Sequence, residues 1–193
     1  MAGVQTSLFP VGETEPRGLL YRQGFLGEND ERGLAARIAA LPLKPFEFQG
    51  FLGKRRTHSF GMHYGFDGSG LRGAEAMPSW LLELRERAAA FAEVDAAAMR
   101  HALLIEYAPG AGIGWHRDRP EFGDVIGISL LAPARLRFRR KAGTKWERTA
   151  LTAEPRSAYL LRGPARTEWE HSITPMETLR YSITLRTLKA PQL

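Results

Sequence analysis

By pattern alone, the chain is expected to be a mainly β domain with flanking α-helices, its strands folded as a sandwich or jelly roll. After residue 100 it breaks into short β-branched or aromatic runs cut by Pro and Gly: HALLIEYA, VIGISLL, RLRFRRK, KWERTALT, SAYLLRG, EWEHSIT and RYSITLRTL. Short strands at such spacing are the pattern of an all-β core. Upstream, two segments carry apolar residues at helical rather than alternating spacing, as expected of helices that brace a sheet.

Residues 1–18 hold Pro10, Pro16 and several Gly without any period, and read as an N-terminal arm. Residues 19–193 are then a single domain. From Glu28 to Leu41, Leu34, Ile38 and Leu41 fall on one helical face behind an Asn29 or Asp30 cap, and Pro42 ends the helix. A second helix is expected from about Pro78 to Val94, with Leu81, Leu82, Leu84, Ala88 and Phe91 as its apolar stripe and Pro78 in its first turn. Between them residues 46–70, rich in Gly and aromatics around Lys54, Arg55 and Arg56, read as hairpins. Strands then fill residues from about 100 to 188. In RLRFRRK alternation sends Arg135, Arg137 and Arg139 to one face and Leu136 and Phe138 to the other, so that strand is half solvated.

The 193 residues are 44% hydrophobic and 25% charged, an ordinary globular composition. A formal charge of +6 favours polyanionic partners such as nucleic acid. No cysteine is present, which excludes disulfides, thiolate metal sites, iron–sulfur clusters and cysteine nucleophiles. Any metal must sit on His, Asp or Glu. Neither a signal peptide nor a membrane span is legible, so a cytoplasmic monomer without a membrane partner is the expectation.

The stretch GWHRD places His116 and Asp118 two positions apart. In an extended segment such residues project to the same side and can converge on one ion. His171 lies in the downstream strand EWEHSIT. Two imidazoles and one carboxylate occupy one face of an octahedral metal and leave positions open, which suits non-haem Fe(II). In RYSITLR, Arg180, Ser182, Thr184 and Arg186 share one strand face. Arginines turned into a small barrel require an anionic ligand, and this pair fits opposite ends of a dicarboxylate. Trp115, on the other side of its strand from His116, reads as core.

Together these motifs resemble the iron- and 2-oxoglutarate-dependent dioxygenases, specifically the AlkB family of alkylated nucleic acid demethylases. The resemblance runs from about Phe46 to Leu188 and includes the lead-in EYAPGAGIGWHRD. It implies a double-stranded β-helix core with Fe(II) held by His116, Asp118 and His171. It also implies 2-oxoglutarate and O2 as cosubstrates. Arg180 would salt-bridge the distal carboxylate, helped by Tyr107 and Ser182; Arg186 would lie near the metal-proximal carboxylate with Thr184 alongside. Ile105 stands where many members carry Asn. The hairpin from Arg55 to Gly68 resembles the family's nucleotide-recognition lid. Tyr64 and Phe66 would then wall a flipped base, Arg55 and Arg56 would meet phosphates, and Glu121 is the acid following the metal Asp.

The implied activity is oxidative demethylation of N-alkylated bases in DNA or RNA, the alkyl carbon leaving as aldehyde. The same chemistry on a protein or small molecule is a second reading. A non-catalytic, basic nucleic-acid-binding jelly roll is a third, and it predicts salt-dependent binding without turnover. Ser129 and Ser157 lack a nucleophile-elbow context, and His58, His63 and His101 read as surface or packing residues.

Overall fold

The computed structural model describes residues 15–48, 51–65 and 70–189. In chain order its elements are β1 (Leu19–Arg22), α1 (Glu28–Ala39), β2 (Lys44–Phe48), β3 (Phe51–Phe60), β4 (Met62–Gly65), β5 (Gly70–Gly73) and α2 (Ser79–Ala92). A 3-10 turn at Ala96–Ala98 leads into β6 (Met99–Tyr107), β7 (Ile113–His116), β8 (Phe122–Leu130), β9 (Ala134–Ala142) and β10 (Lys145–Ala153). The chain continues through β11 (Ala158–Leu161), α3 (Gly163–Thr167), β12 (Glu170–Ile173) and β13 (Arg180–Leu188).

Two antiparallel sheets face one another. The larger has seven strands in the order β1-β11-β8-β13-β6-β3-β2, the smaller four in the order β10-β9-β12-β7, and β4 and β5 form a separate hairpin. This is the jelly-roll architecture expected. The core divides in two. Leu34 and Ile38 of α1 and Leu81, Leu84 and Ala88 of α2 pack on Leu104, Ile126, Ile128, Ile183 and Leu185, filling the space between helices and large sheet. Between the sheets lie Ile105, Tyr107, Leu136, Phe138, Leu151, Tyr159, Trp169 and Ile173. On strand β13 Tyr181, Ile183 and Leu185 face the helices, so Arg180, Ser182, Thr184 and Arg186 face the other sheet.

Local chemistry explains the helix ends. Helix α1 is capped by Gly27 in an extended conformation, two positions before the first of the expected caps. Asp30 sits inside the first turn and accepts the Gly27 N–H at 3.2 Å, while Arg87 of α2 reaches the same carboxylate at 2.9 Å. Pro78 lies just outside α2 as its cap, and Glu93 closes the helix in a left-handed conformation (φ 53°). Strand β1, pairing with β11, and the five-residue α3 lie outside the expected elements. Trp115 is not core. It lies half-buried on the outward face of the small sheet, covered by arginine side chains rather than by a second layer.

Candidate metal and cosubstrate site

His116 ends β7 and His171 lies on β12; the two are directly opposite in the antiparallel pair, which has an irregularity between His171 and Ile173. That register brings the imidazole centres to 4.3 Å. Asp118, two residues beyond His116, turns back so that its Oδ2 lies 3.6 Å from His171 Nε2. One donor atom from each of the three residues lies within 4.8 Å of the others, a spacing that could hold a single metal ion.

The protonation states suit a cation. His116 Nδ1 lies 2.9 Å from the Gly114 carbonyl; a proton on Nδ1 donates there and leaves the Nε2 lone pair free. Burial lowers the His116 pKa despite the opposing pull of Asp118. His171 is pushed down to about 3, by burial first and His116 next. For Asp118, burial alone would raise the pKa, but Arg186, His171 and His116 together hold it below the ordinary carboxylate range. Near neutral pH the set is two neutral imidazoles and a carboxylate, the forms that bind metal.

Arg186 is the chief partner of that carboxylate. Its Nε and Nη2 lie 2.8 and 2.6 Å from Asp118 Oδ1, and its Nη1 is 3.2 Å from His101 Nδ1. The arginine expected near a cosubstrate carboxylate therefore grips the metal-site aspartate. Arg180 is different. It is fully buried, its Nε donates to Ser129 Oγ at 3.1 Å, and its guanidinium carbon stands 5.0 Å from the Tyr107 ring centre. Both of its Nη atoms are buried with no hydrogen-bond partner. A buried, half-paired guanidinium costs several kcal/mol unless an anion completes it. This orphaned fork fits a carboxylate in bidentate geometry.

Neighbouring rows finish the cavity. Across the large sheet Ser182 pairs with both Ile105 and Ser129, and Thr184 with Leu103 and Gly127. A Cβ on Gly127 would lie 2.1 Å from Tyr159 Cζ and 2.4 Å from its Oη, so this glycine makes room for the phenol. Burial pushes the Tyr159 pKa up to about 12, while Arg180 and Arg186 pull the other way.

The two arginines expected to open a lid do not act as a pair. Arg56 faces away from the cavity and is bound by both Glu106 oxygens at 2.7 Å, which occupies the group expected to meet a phosphate. Arg55 alternates inward beside Tyr107, stacked 3.8 Å from the Phe46 ring centre. Burial depresses its pKa, and its charge is felt at His116. Phe66 and the side chain of Tyr64 lie outside the described residues; the Tyr64 backbone pairs with Leu71 in the small hairpin. Glu121 is exposed, 4.0 Å from Arg119.

Several site residues escaped sequence reasoning. Ser129 meets Arg180, His101 meets Arg186 and Tyr159 covers Gly127 only through cross-strand register. Arg166 of α3 donates to the carbonyls of Arg119, Phe122 and Gly123 at 2.5, 3.0 and 3.1 Å, pinning the loop that follows Asp118. Period-two alternation in KRRT was a usable signal that Arg55 and Arg56 part company.

Fold and site together have the layout of a jelly-roll oxygenase, with a His/Asp/His cluster whose spacing could hold a metal ion. Residues 40–186 match the 2OG-Fe(II) oxygenase superfamily, and the chain belongs to it. Membership carries Fe(II), with 2-oxoglutarate and O2 as cosubstrates. Its similarities run to AlkB-type members. The chain is 33% identical over 111 residues to the probable RNA/DNA demethylase ALKBH6 of Danio rerio, covering 58% of this chain and 45% of that protein. It is 28% identical over 149 residues to an alkylated DNA repair protein ALKBH8 homolog of Arabidopsis thaliana, covering 63% and 42%. The chain thus spans less than half the length of these two relatives. Among solved structures OsALKBH1 aligns with a TM-score of 0.65 at 14% identity, over 90% of this chain and 99% of that one. A Pseudomonas putida prolyl-4-hydroxylase aligns with a TM-score of 0.60 at 18% identity, over 89% and 93%. No helix among the described residues is long and apolar enough to cross a membrane.

Proposed function

We propose that this chain oxidatively demethylates N-alkylated bases in DNA or RNA. The observation that carries the oxygenase half is Arg180, a fully buried cation with two unpartnered donors, in the same inter-sheet space as a two-histidine, one-carboxylate cluster. His116, Asp118 and His171 would hold Fe(II), and Arg180 with Tyr107 and Ser182 would hold the far carboxylate of 2-oxoglutarate. Bound there, iron and cosubstrate supply the activation of O2 that hydroxylates an N-alkyl carbon, which is then lost as aldehyde.

The protein's own share is placement. Gly114 fixes the His116 tautomer, Arg186 keeps Asp118 ionised and aimed, and Thr184 lines the wall beside Arg186. Leu136, Phe138 and Ile173 keep water from the cavity. Arg55, turned inward near His116, would meet the anionic flank of an extruded nucleotide, with Tyr64, Phe66 and Glu121 around the base. The names of the ALKBH6 and ALKBH8 relatives support nucleic acid as substrate. Likeness to a prolyl-4-hydroxylase fold keeps a protein side chain as the second reading.

The test is one assay: iron, 2-oxoglutarate and oxygen with oligonucleotides carrying 1-methyladenine or 3-methylcytosine, read by mass. Loss of a methyl group with matching succinate formation is expected. Hydroxylation of proline peptides with untouched oligonucleotides would replace this reading with the second.

A further inference from the structure

We propose that the outward face of the four-stranded sheet is a docking track for the phosphodiester backbone of a single-stranded polynucleotide. The choice of polymer rests on the active-site reading above; the track stands on residues that face away from that site. On β9, alternation puts Arg135, Arg137, Arg139 and Lys141 on this face, and on β10 it puts Trp146 and Arg148 there. Arg148 lies directly opposite Arg139. Like charges so placed repel, an arrangement that an anionic partner relieves. Among the described residues, five cations on this face meet a single carboxylate, Glu170, already bonded to Arg139 Nε at 2.5 Å. The nearby acids Glu147 and Glu168 are both taken by Arg140.

Two of these cations, Arg137 and Arg139, are also held in place. Arg137 and Arg139 stack at 4.9 and 4.6 Å from the Trp115 ring centre, and Arg139 lies 4.4 Å from that of Trp146. Arg137 Nε donates to Ser172 Oγ at 3.0 Å. Guanidinium groups ordered in advance lose little rotamer freedom on gripping phosphates. They repeat along β9 at roughly 6.6 Å, twice the strand rise. Trp146, 40% exposed, offers an unpaired base a stacking surface, which favours a single strand over a duplex.

Position completes the case. Trp115 precedes His116 and Ser172 follows His171, so the track is the reverse side of the strands that carry the metal-site histidines. Exposed Arg117 continues it around the end of β7 towards Asp118. A strand with one base in the cavity could lay its flank along this face.

The experiment is fluorescence anisotropy of labelled dT20 and U20 with the full chain, across a salt series, comparing wild type with Arg135→Gln/Arg137→Gln/Arg148→Gln and with Trp146→Ala. The triple variant is expected to bind at least tenfold more weakly, with the log–log salt slope shallower by about two, near 0.7 for each cation lost. Trp146→Ala is expected to weaken binding severalfold at unchanged slope. Circular dichroism melting and the rise in Tm on adding 2-oxoglutarate verify that each variant is folded. Unchanged affinity and slope in the folded triple variant, or binding to phosphatidylserine vesicles with none to either oligonucleotide, would overturn the proposal. Charge-dependent binding through this face without demethylation would leave the track standing and remove the active-site reading. Demethylation by wild type, with the triple variant binding normally, would do the reverse.

Discussion

Arg186 spends two of its nitrogens on one oxygen of Asp118, with Nε and Nη2 at 2.8 and 2.6 Å from Oδ1, and leaves Oδ2 turned towards His171 Nε2 at 3.6 Å. The carboxylate is thereby divided: one oxygen is anchored by the protein and the other is aimed at the point where the imidazoles converge.

Arg186→Gln should therefore weaken metal binding more than folding. Loss of an outer partner of this kind typically costs about 10–100-fold in metal affinity. Titration of the protein with Co(II) or Fe(II) under anaerobic conditions reads it, and Arg186→Lys should recover part of the loss. Equal metal affinity in wild type and Arg186→Gln would show that Asp118 needs no anchor.

Arg180→Met should separate cosubstrate from metal. The variant removes a buried cation whose two Nη atoms have no partner, so without ligand its Tm should match or exceed that of wild type. It should keep metal binding and lose the stabilisation that 2-oxoglutarate confers on the wild type. Paired thermal-shift measurements with and without 2-oxoglutarate check both halves.

Tyr159 carries a pH signature. Its pKa is raised to about 12, chiefly by burial, against about 10 for an unfolded tyrosine. The neutral phenol is the form the fold favours, so its contribution to stability is complete below about pH 10 and is lost as pH climbs through about 12. Absorbance titration at the tyrosinate band should show a late component in wild type that is missing from Tyr159→Phe.

Gly127→Ala should be disruptive out of proportion to one methyl group, because the new Cβ would fall 2.1 Å from Tyr159 Cζ. Overpacking of this kind costs about 1–3 kcal/mol. Tyr159→Phe keeps Cζ and should not rescue the variant, whereas Tyr159→Leu should, giving strong non-additivity in denaturant melts.

How much of this was legible beforehand depended on whether a feature is local. His116 and Asp118 sit two apart, and the alternation of RYSITLR turns Arg180 and Arg186 to one side whatever the neighbouring strands do, so these residues could be singled out from the chain alone. Ser129 under Arg180, His101 against Arg186 and Tyr159 over Gly127 are products of pairing between distant strands, and no local period encodes them. Trp115 reads as core from sequence because an indole in a strand usually packs inward; here Arg137 and Arg139 supply the cover instead. Arg55 and Arg56 form one basic cluster along the sequence, yet as neighbouring strand residues they face opposite ways.

The direct pairing of His116 with His171 across β7 and β12 has a bearing on assembly. A slip of one position along either strand would turn one imidazole to the far side of the sheet, and the ion would lose a donor. Occupancy by the proposed metal would in that sense be a proofreading event: it would reward only chains whose closing strands have docked in the correct alignment.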